Sequence, residues 1–425
     1  MKYFKKLLIA AVLILVLPTV LRLNRPLPGI ESYYFIAQLP GVPDYFFRAV
    51  PLLFSLLSSL VFYFLLGELG FRKDVAGIAT LLLLVSTPFI YVSNMFTPHA
   101  LFLLINLTAF YLYFRKDRHL YLLSIPLFLV TGLFGAYSFI TLIFLVLCTI
   151  IFERNRGLSF SLAIVVLLLA FASSPLSWFR PEQGYLQLLV SDFGGSVGIG
   201  VSALILAFFG FLKTWKNKYQ FFPVYVAVIL LFAASKYLFF ATIYLNLPIV
   251  VFAAKAMNEL LTEKWALKFI KQISVIALAC TFLFSAVSFV NRIYEEQPSD
   301  VVVKSLVFLR GRDQGVVFSH QSKGFWISHY SNKPVFIDRM SINPHLENIS
   351  NQVYYSRSYQ NTTKIFDEHN IRYIWIDGQM KNGQVWTKPE QGLLFLFLDK
   401  KVFAQIYENK GIEIWEYLPV QQKTI

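Results

Sequence analysis

The chain has 425 residues, of which 56% are hydrophobic and 15% charged, and its mean hydropathy is +0.58. A soluble protein of this size needs far more polar surface, so the composition excludes a soluble globular fold and predicts an α-helical polytopic membrane protein. Lysines and arginines in the loops between apolar segments account for most of the net charge of +14, so nucleic acid is not a predicted partner.

The apolar segments are the first predicted elements. Residues 1–290 contain about eleven of them that are long enough to cross a bilayer, which predicts about eleven transmembrane helices. The pair at 120–134 and 137–152, and the pair that meets at Lys236, also fit tight hairpins that do not cross fully. In chain order the segments run over residues 7–22, 49–69, 75–95, 99–114, 120–134, 137–152, 158–175, 196–212, 221–235, 237–254 and 272–290.

Basic residues fall at every second connection between these segments. The series begins with Lys2, Lys5 and Lys6 before the first segment and continues with Arg72-Lys73. Because cytoplasmic loops carry the excess of lysine and arginine, the N-terminus is predicted to be cytoplasmic. An odd number of spans leaves the C-terminus outside. We therefore expect a multi-pass protein of the cell membrane with an extracytoplasmic C-terminal domain.

The first external loop, residues 23–48, contains the most informative stretch, Glu31-Ser32-Tyr33-Tyr34. Pro28-Gly29 is a helix start signal, so Glu31 is expected in a first helical turn, with Tyr34 on its face and Tyr33 turned away. A carboxylate so close to lipid is a candidate for function. An equally good interpretation is a glutamate favoured by the helix dipole beside tyrosines of the interfacial aromatic belt.

Asp44, in the same loop, is a further candidate among the few acids predicted to face out. Its position between Pro43 and Tyr45 favours a turn residue, and a second catalytic carboxylate is the alternative. External chemistry that needs a base or a metal ligand must use these acids or the C-terminal domain.

Three cations and one histidine are predicted on the same side. Arg48 opens the second segment, Arg180 lies in a loop, and Lys236 interrupts a strongly apolar stretch. An outward cation at membrane depth can bind a lipid-linked phosphate, whereas snorkelling to the interface is the structural alternative. His99 begins the fourth segment, as either a substrate-binding or an interfacial residue.

From about residue 291 the composition changes to a soluble pattern, which predicts a small α/β domain over 291–425. Asp338 and Asp377 end predicted strands, where they serve either as functional acids or as caps of the following turns. The predicted strands are Gly315 to Ser319, Lys333 to Asp338, Ile371 to Asp377, Val402 to Tyr407 and Gly411 to Tyr417, and the predicted helices are Val301 to Leu309, Asn351 to His369 and Gln391 to Leu398.

Cofactor signals are weak in this sequence. Cys148 and Cys280 lie inside apolar segments without a His or Cys partner at metal-ligand spacing, so no disulfide framework or zinc site is predicted. No residue is assigned to a metal. No cofactor is certain, and a divalent metal held by outer carboxylates is left open.

The layout of apolar segments, the acid of Glu31-Ser32-Tyr33-Tyr34 in the first external loop and the external domain after the last segment together resemble the GT-C superfamily of membrane glycosyltransferases. That superfamily includes oligosaccharyltransferase catalytic subunits and protein O-mannosyltransferases. Two departures are visible. A single acid stands where many members have a pair, and the WWDYG block of oligosaccharyltransferases is absent from the tail. These departures favour a metal-independent mechanism and weigh against sequon recognition.

The resemblance implies transfer of a sugar from a polyprenyl-phosphate-linked donor to an acceptor on the extracytoplasmic face. Glu31 would be the general base or a metal-site carboxylate, and Lys236, with Arg48 or Arg180, would stabilise the departing lipid phosphate. Tyr33 or Tyr34 would stack on the sugar. Direct displacement would invert the anomeric centre. The acceptor is open among a protein, a lipid and another glycan, and the bilayer is the other partner.

Two further functions remain as alternatives. A transporter or flippase of a lipid-linked glycan would use Lys236 as a translocation residue. A catalytically inactive scaffold of the same fold would use its external domain for binding.

Overall fold

The computed structural model describes residues 9, 11–13, 15–16, 26–39, 42–115, 117–151, 156–173, 189–195, 197–295, 297–339 and 344–419. The chain divides into two compact units. The helical unit comprises Met1–Arg25 and Gly41–Glu295, and the sheet unit comprises Pro26–Pro40 and Glu296–Ile425. Part of the predicted external loop, residues 26–40, therefore belongs to the sheet unit.

The helices within the described residues are numbered here in chain order, with the strands numbered separately. The helices are α1 (Ile30–Ala37), α2 (Asp44–Glu68), α3 (Lys73–Leu84), α4 (Thr87–Asn94), α5 (His99–Phe114), α6 (Arg118–Gly132), α7 (Tyr137–Ile151), α8 (Arg156–Ser173), α9 (Val201–Thr214), α10 (Lys218–Ser235), α11 (Ala241–Thr262), α12 (Lys268–Glu295), α13 (Asp300–Arg310), α14 (Gly324–Ser331), α15 (Pro344–Tyr355), α16 (Tyr359–Glu368) and α17 (Leu393–Leu396). The strands are β1 (Val316–Phe318), β2 (Ile371–Ile376), β3 (Phe403–Asn409) and β4 (Ile412–Tyr417).

The helical unit contains the membrane-spanning candidates. Within the described residues, α2, α11 and the helix that begins at Lys268 are long and apolar enough to cross a membrane. Five shorter apolar helices accompany them, among them α5 and α7. These helices confirm the membrane character read from the composition, while the count of about eleven spans stays a prediction.

The predicted third segment, residues 75–95, is a broken helix. It consists of α3 and α4, whose axes are bent by 59°. Pro88 lies in the first turn of α4, which Ser86 precedes as the N-cap residue. A proline at this point cannot donate to the carbonyl four residues earlier, and its ring clashes with that carbonyl, so a continuous helix is interrupted here.

Helix α11 is the most enclosed of the three candidate spans among the described residues, since 72% of its apolar window is buried. Helix α9 packs closely against it at Gly210, where a Cβ atom would lie 1.9 Å from the backbone oxygen of Phe252. Small residues allow this approach of two backbones in a membrane bundle. Buried polar side chains add interhelical hydrogen bonds, such as that from Asn246 to the hydroxyl of Ser86 at 2.7 Å.

The sheet unit is built on four strands in the order β1-β2-β4-β3. β1 and β2 are parallel, and β4 is antiparallel to both β2 and β3. β2 is central and almost fully buried, which agrees with a sequence that is apolar or aromatic at every position except Arg372. The two-residue turn of the β3–β4 hairpin has positive φ at Lys410 and Gly411, as a type I′ turn requires. A small sheet domain is thus confirmed.

The secondary structure predicted for this unit is partly wrong. The strand expected at Lys333 to Asp338 makes only an isolated bridge, Val335 to Val317, because Pro334 has no N–H to donate to a ladder. The helix expected at Asn351 to His369 is two helices, α15 and α16. Ser358 separates them, and its hydroxyl accepts from the backbone N–H of Asn361 as the N-cap of α16. The other strands and α13 are confirmed.

Candidate active site

Helix α1 carries Glu31 in its first turn, as the start signal predicted. Gly29 precedes it with φ of 74°, a left-handed conformation that favours glycine and turns the chain into the helix. The hydroxyl of Ser32 donates to the backbone oxygen of Pro28 at 2.9 Å and ties the first turn to that bend. Glu31 is half-buried.

Tyr33 anchors α1 to the rest of the sheet unit. Its side chain is 1% exposed, its hydroxyl donates to the backbone oxygen of Leu27 at 3.2 Å, and it lies 3.1 Å from the hydroxyl of Tyr330. Its ring meets that of His329 edge-on, with centroids 5.1 Å apart. Tyr33 is therefore packed into the unit, on a different side of the helix from Glu31, as its spacing predicted.

Tyr34 supplies a second anchor on α14. Its ring centroid is 5.3 Å from that of Phe325, and its side chain is half-buried. Aromatic pairs of this kind add to the apolar area they bury. Glu31 thus projects from a short helix that two tyrosines hold against α14, which places the carboxylate on an ordered element.

Asp44 and Arg48 lie four residues apart on α2, in the helical unit. Asp44 is exposed at the first residue of that helix, where a carboxylate is favoured by the helix dipole. Arg48 is 4% exposed. A guanidinium this well buried acts in a low-dielectric surrounding, where its electrostatic effect on an anion is stronger than at the surface.

His99 and Lys236 also belong to the helical unit, and they differ in exposure. His99 is 7% exposed. Its ring stacks on Phe240 at 5.4 Å, and its Nδ1 is hydrogen-bonded to the hydroxyl of Tyr137. Lys236 is exposed at the C-terminal end of α10, with its Nζ 5.8 Å from the ring centroid of Tyr237. The interruption that the sequence placed in an apolar stretch is therefore the end of a helix. Arg180 lies outside the described residues.

A polar cluster that the sequence did not reveal lies at the carboxyl ends of the parallel strands β1 and β2. Lys323 and Asp377 form an ion pair at 3.1 Å, with side chains only 8% and 10% exposed. The ammonium of Lys323 also donates to the side chain of Gln379 at 2.8 Å. Asp377 accepts from the backbone N–H of Met380 at 2.9 Å, which confirms the turn-capping interpretation.

His320 lies at the same edge of the sheet. Its Nδ1 is 2.8 Å from the hydroxyl of Ser322 and accepts from the side-chain amide of Gln384 at 3.1 Å. Burial, and then the positive charges of Lys323 and Arg339, lower the pKa of His320. The imidazole is therefore neutral at neutral pH. No residue spacing in the sequence predicts this cluster, because its members come from three separate segments of the chain.

Metal binding was left open by the sequence. Across the described ranges, no group of three or more His, Cys, Asp or Glu side chains comes together that could hold a metal ion. Three or more such ligands are the usual minimum for a protein-bound transition metal or calcium.

A large cavity of the helical unit has a volume of about 220 Å³ and an almost entirely apolar wall. Leu69, Gly70 and Phe71 line it, next to the connection predicted to be cytoplasmic. None of the described candidate residues lines this cavity, so it is not the predicted site.

The fold is that of the GT-C superfamily of membrane glycosyltransferases, as the resemblance in the sequence predicted. The structure of the oligosaccharyltransferase AglB from Archaeoglobus fulgidus, in complex with an inhibitory peptide and a dolichol-phosphate, matches with a TM-score of 0.58 and 12% identity over 99% of this chain and 74% of that one. The same enzyme tethered with an acceptor peptide containing the NVT sequon matches with a TM-score of 0.57 at 12% identity, over 99% and 74%. Its complex with Zn and sulfate matches with 0.58 at 12% identity, over 98% and 73%.

The sequence is similar to one family within this superfamily. Residues 16–179 match the PMT family, dolichyl-phosphate-mannose-protein mannosyltransferase. A sequence search of curated proteins gives no match. The family match and the fold agree on the superfamily, and together they support a membrane glycosyltransferase.

Proposed function

We propose that the protein transfers a sugar from a polyprenyl-phosphate-linked donor to an acceptor hydroxyl on the extracytoplasmic face of the membrane, with inversion at the anomeric carbon. The similarity of residues 16–179 to the mannosyltransferase family supports the donor class. The matching oligosaccharyltransferase structure contains a dolichol-phosphate, which agrees with a lipid phosphate as a ligand of this fold.

The observation that carries the proposal is the anchoring of α1. A general base must be held within hydrogen-bond reach of the proton that it removes, and rigid support improves that positioning. Glu31 is half-buried on a helix that Tyr33 and Tyr34 fix to α14. A glutamate whose only task is to favour a helix dipole does not need this support.

The reaction follows from these groups. The acceptor oxygen attacks the anomeric carbon as the bond from that carbon to the phosphate oxygen breaks. Glu31 takes the proton of the acceptor hydroxyl, and the polyprenyl phosphate leaves with the bonding electron pair. Within the helical unit Arg48 is buried while Lys236 is exposed, and a role of either cation toward the departing phosphate stays the prediction that the resemblance gave. Tyr33 has an anchoring role here, and Tyr34 keeps an exposed part for the sugar.

The test is transfer in liposomes by the purified full chain, with radiolabelled polyprenyl-phosphate hexoses as donors and a membrane extract as acceptor. We expect Glu31→Gln to lose at least about a hundredfold in rate, the usual contribution of general-base catalysis. Asp300→Asn is the matched control, since Asp300 is also a first-turn helix carboxylate of the sheet unit and is exposed. The transfer rate of Asp44→Asn shows whether Asp44, the second acid that the sequence predicts to face out, takes part in catalysis.

Each reaction is run with and without a chelator. Loss in Glu31→Gln with indifference to the chelator would support a metal-independent transferase. Full activity of Glu31→Gln beside an active wild type would refute the role of Glu31. No transfer by the wild type from any donor would favour the inactive scaffold, and movement of the labelled lipid without chemical change would favour transport. The exposed position of Lys236 at a helix end does not favour transport.

A further inference from the structure

A small polar cavity in the sheet unit lies at the carboxyl ends of β1 and β2. Open α/β sheets bind ligands at this edge. The cavity has a volume of about 70 Å³, and no residue of α1 lines it. Its wall includes His320, Ile337, Gln384 and Val385 and five residues of α15.

One face of α15 supplies half of this wall. Glu347, Ser350, Asn351, Tyr354 and Tyr355 follow the spacing i, i+3, i+4, i+7 and i+8, which places them on one side of the helix. Ser350 and Tyr354 are 4% and 5% exposed, whereas the other three are exposed. A surface helix normally turns apolar side chains to its buried face. Val353, Leu346 and Ile349 pack on the core of the sheet unit in this way, whereas the side of α15 that lines the cavity presents hydroxyls, with carboxylate and amide groups at the rim.

The hydroxyls of Ser350 and Tyr354 are the unusual feature. Both are buried, and neither has a hydrogen-bond partner within the part of the chain that the structure describes. Burying a hydroxyl costs desolvation free energy, and without a partner no hydrogen bond offsets that cost. Native proteins rarely contain two neighbouring hydroxyls of this kind without a reason. The neighbouring ring of Trp386 holds the backbone of Tyr354 by a hydrogen bond at 2.9 Å, so the floor is well fixed.

The charges around the cavity select a neutral ligand. The imidazole of His320 accepts through Nδ1 and is neutral at neutral pH, so its proton lies on Nε2 as a donor. Glu347 adds one carboxylate to the wall, and Lys323, Arg339 and Asp377 act on His320 from nearby, so these charges nearly balance and favour neither an anion nor a cation. A single carboxylate is also far short of the six to eight oxygen ligands that calcium takes. Donors and acceptors are therefore mixed, with the tyrosine rings and two aliphatic side chains between them.

We propose that this cavity binds the terminal sugar ring of a glycan through one edge of the ring. A pyranose carries hydroxyls that both donate and accept, next to an apolar C–H face, and this matches a wall of amides, hydroxyls and aromatic rings. The volume takes about five water-sized groups, which is enough for the hydroxyls and carbons of one ring edge. The site is separate from sugar transfer and does not rest on the role of Glu31.

The test is saturation-transfer difference NMR on the full chain in nanodiscs, titrated with methyl α-glucopyranoside, methyl α-mannopyranoside, methyl α-galactopyranoside and N-acetylglucosamine. Inorganic phosphate and a short neutral peptide are titrated in parallel. We expect saturable binding of at least one sugar and about tenfold weaker binding by Tyr354→Phe, the effect of one lost hydrogen bond to a buried partner. Glu31→Gln should bind the sugar as the wild type does.

Tyr373→Phe is the matched control, because the hydroxyl of Tyr373 donates to the backbone oxygen of Asp313 at 3.1 Å and its side chain is 1% exposed. It should lower the midpoint of thermal unfolding and leave sugar binding unchanged. Tyr354→Phe should weaken binding without lowering the midpoint, because it removes a hydroxyl that has no partner among the described residues.

Three results would overturn the proposal. They are no saturable binding of any sugar, equal binding by wild type and Tyr354→Phe, and tighter binding of the peptide or phosphate than of every sugar. Loss of binding in Tyr354→Phe with a lowered midpoint would also count against it, because the hydroxyl would then have a structural partner.

Discussion

Truncation of Tyr33 should release α1 from the sheet unit. The helix has eight residues, and isolated helices shorter than about 12–15 residues are marginal in water. Its order must therefore come from tertiary contacts, and Tyr33, at 1% exposure, is its most buried aromatic residue. Removing a buried aromatic side chain costs about 3–5 kcal/mol. Applied to local opening of α1, this corresponds to roughly a 100- to 4,000-fold loss of protection from hydrogen exchange.

Hydrogen exchange of the full chain in nanodiscs, followed by mass spectrometry, measures this protection peptide by peptide. Tyr33→Phe should lose roughly fivefold, since it removes only the hydroxyl that bonds Leu27 and Tyr330. Tyr45→Ala is the control, because Tyr45 is 68% exposed and its truncation should leave α1 unchanged. A loss of less than about tenfold in Tyr33→Ala would refute the reasoning, since contacts other than the Tyr33 ring would then hold the helix.

The other predictions concern the ion pair, a histidine and a helix contact. Asp377→Asn should destabilise the sheet unit by about 3–5 kcal/mol, measured by chemical unfolding, because it leaves the ammonium of Lys323 buried without its counter-charge. The sheet unit should lose stability as the pH falls below about 6.5, the ordinary pKa of histidine, because the lowered pKa of His320 means that the unfolded state binds the proton first; His320→Gln should flatten this dependence. Gly210→Ala should lower the thermal midpoint of the purified protein, since its Cβ would overlap a backbone oxygen of α11, and Gly67→Ala, with open space around it, should not.

These variants also have clear contrary outcomes. A loss below about 1 kcal/mol in Asp377→Asn would mean that water screens the pair. Unchanged stability between pH 7.5 and 5 would show that the unfolded and folded states take up equal numbers of protons there. Equal midpoints for the two glycine variants would mean that α9 moves away from α11 at little cost.

The sequence predicts the helices well where one local pattern decides them. Long apolar runs gave the positions of α5 and α7 closely, whereas α2 begins before its predicted segment and α11 continues beyond the end of its own. The bend between α3 and α4 was not predicted, because the hydropathy is continuous across it. Pro88 was a usable signal for a helix break at this point. Pro334 would likewise have corrected the predicted strand that includes it.

The candidate site shows where sequence reasoning ends. Pro28-Gly29 predicted the start of α1 and the turn that carries Glu31. The partner of Tyr33, however, is Tyr330, 297 residues further along the chain. No local spacing encodes a pairing so distant in sequence. The hydroxyl face of α15 could have been found from its i, i+3, i+4, i+7 spacing, but the predicted helix was placed too far along the chain to show it.

The sheet unit is discontinuous in sequence, and this determines when residues 26–40 can dock during synthesis. Residues 26–40 are made first, but the surface that receives them, α14, lies beyond the 255 residues of Gly41–Glu295. At typical rates of synthesis that interval lasts roughly 10–50 s. Throughout it the nascent segment has no docking surface. A chain whose synthesis stops before α14 therefore cannot hold Glu31 in place, so α1 is ordered only in a copy whose last domain has folded.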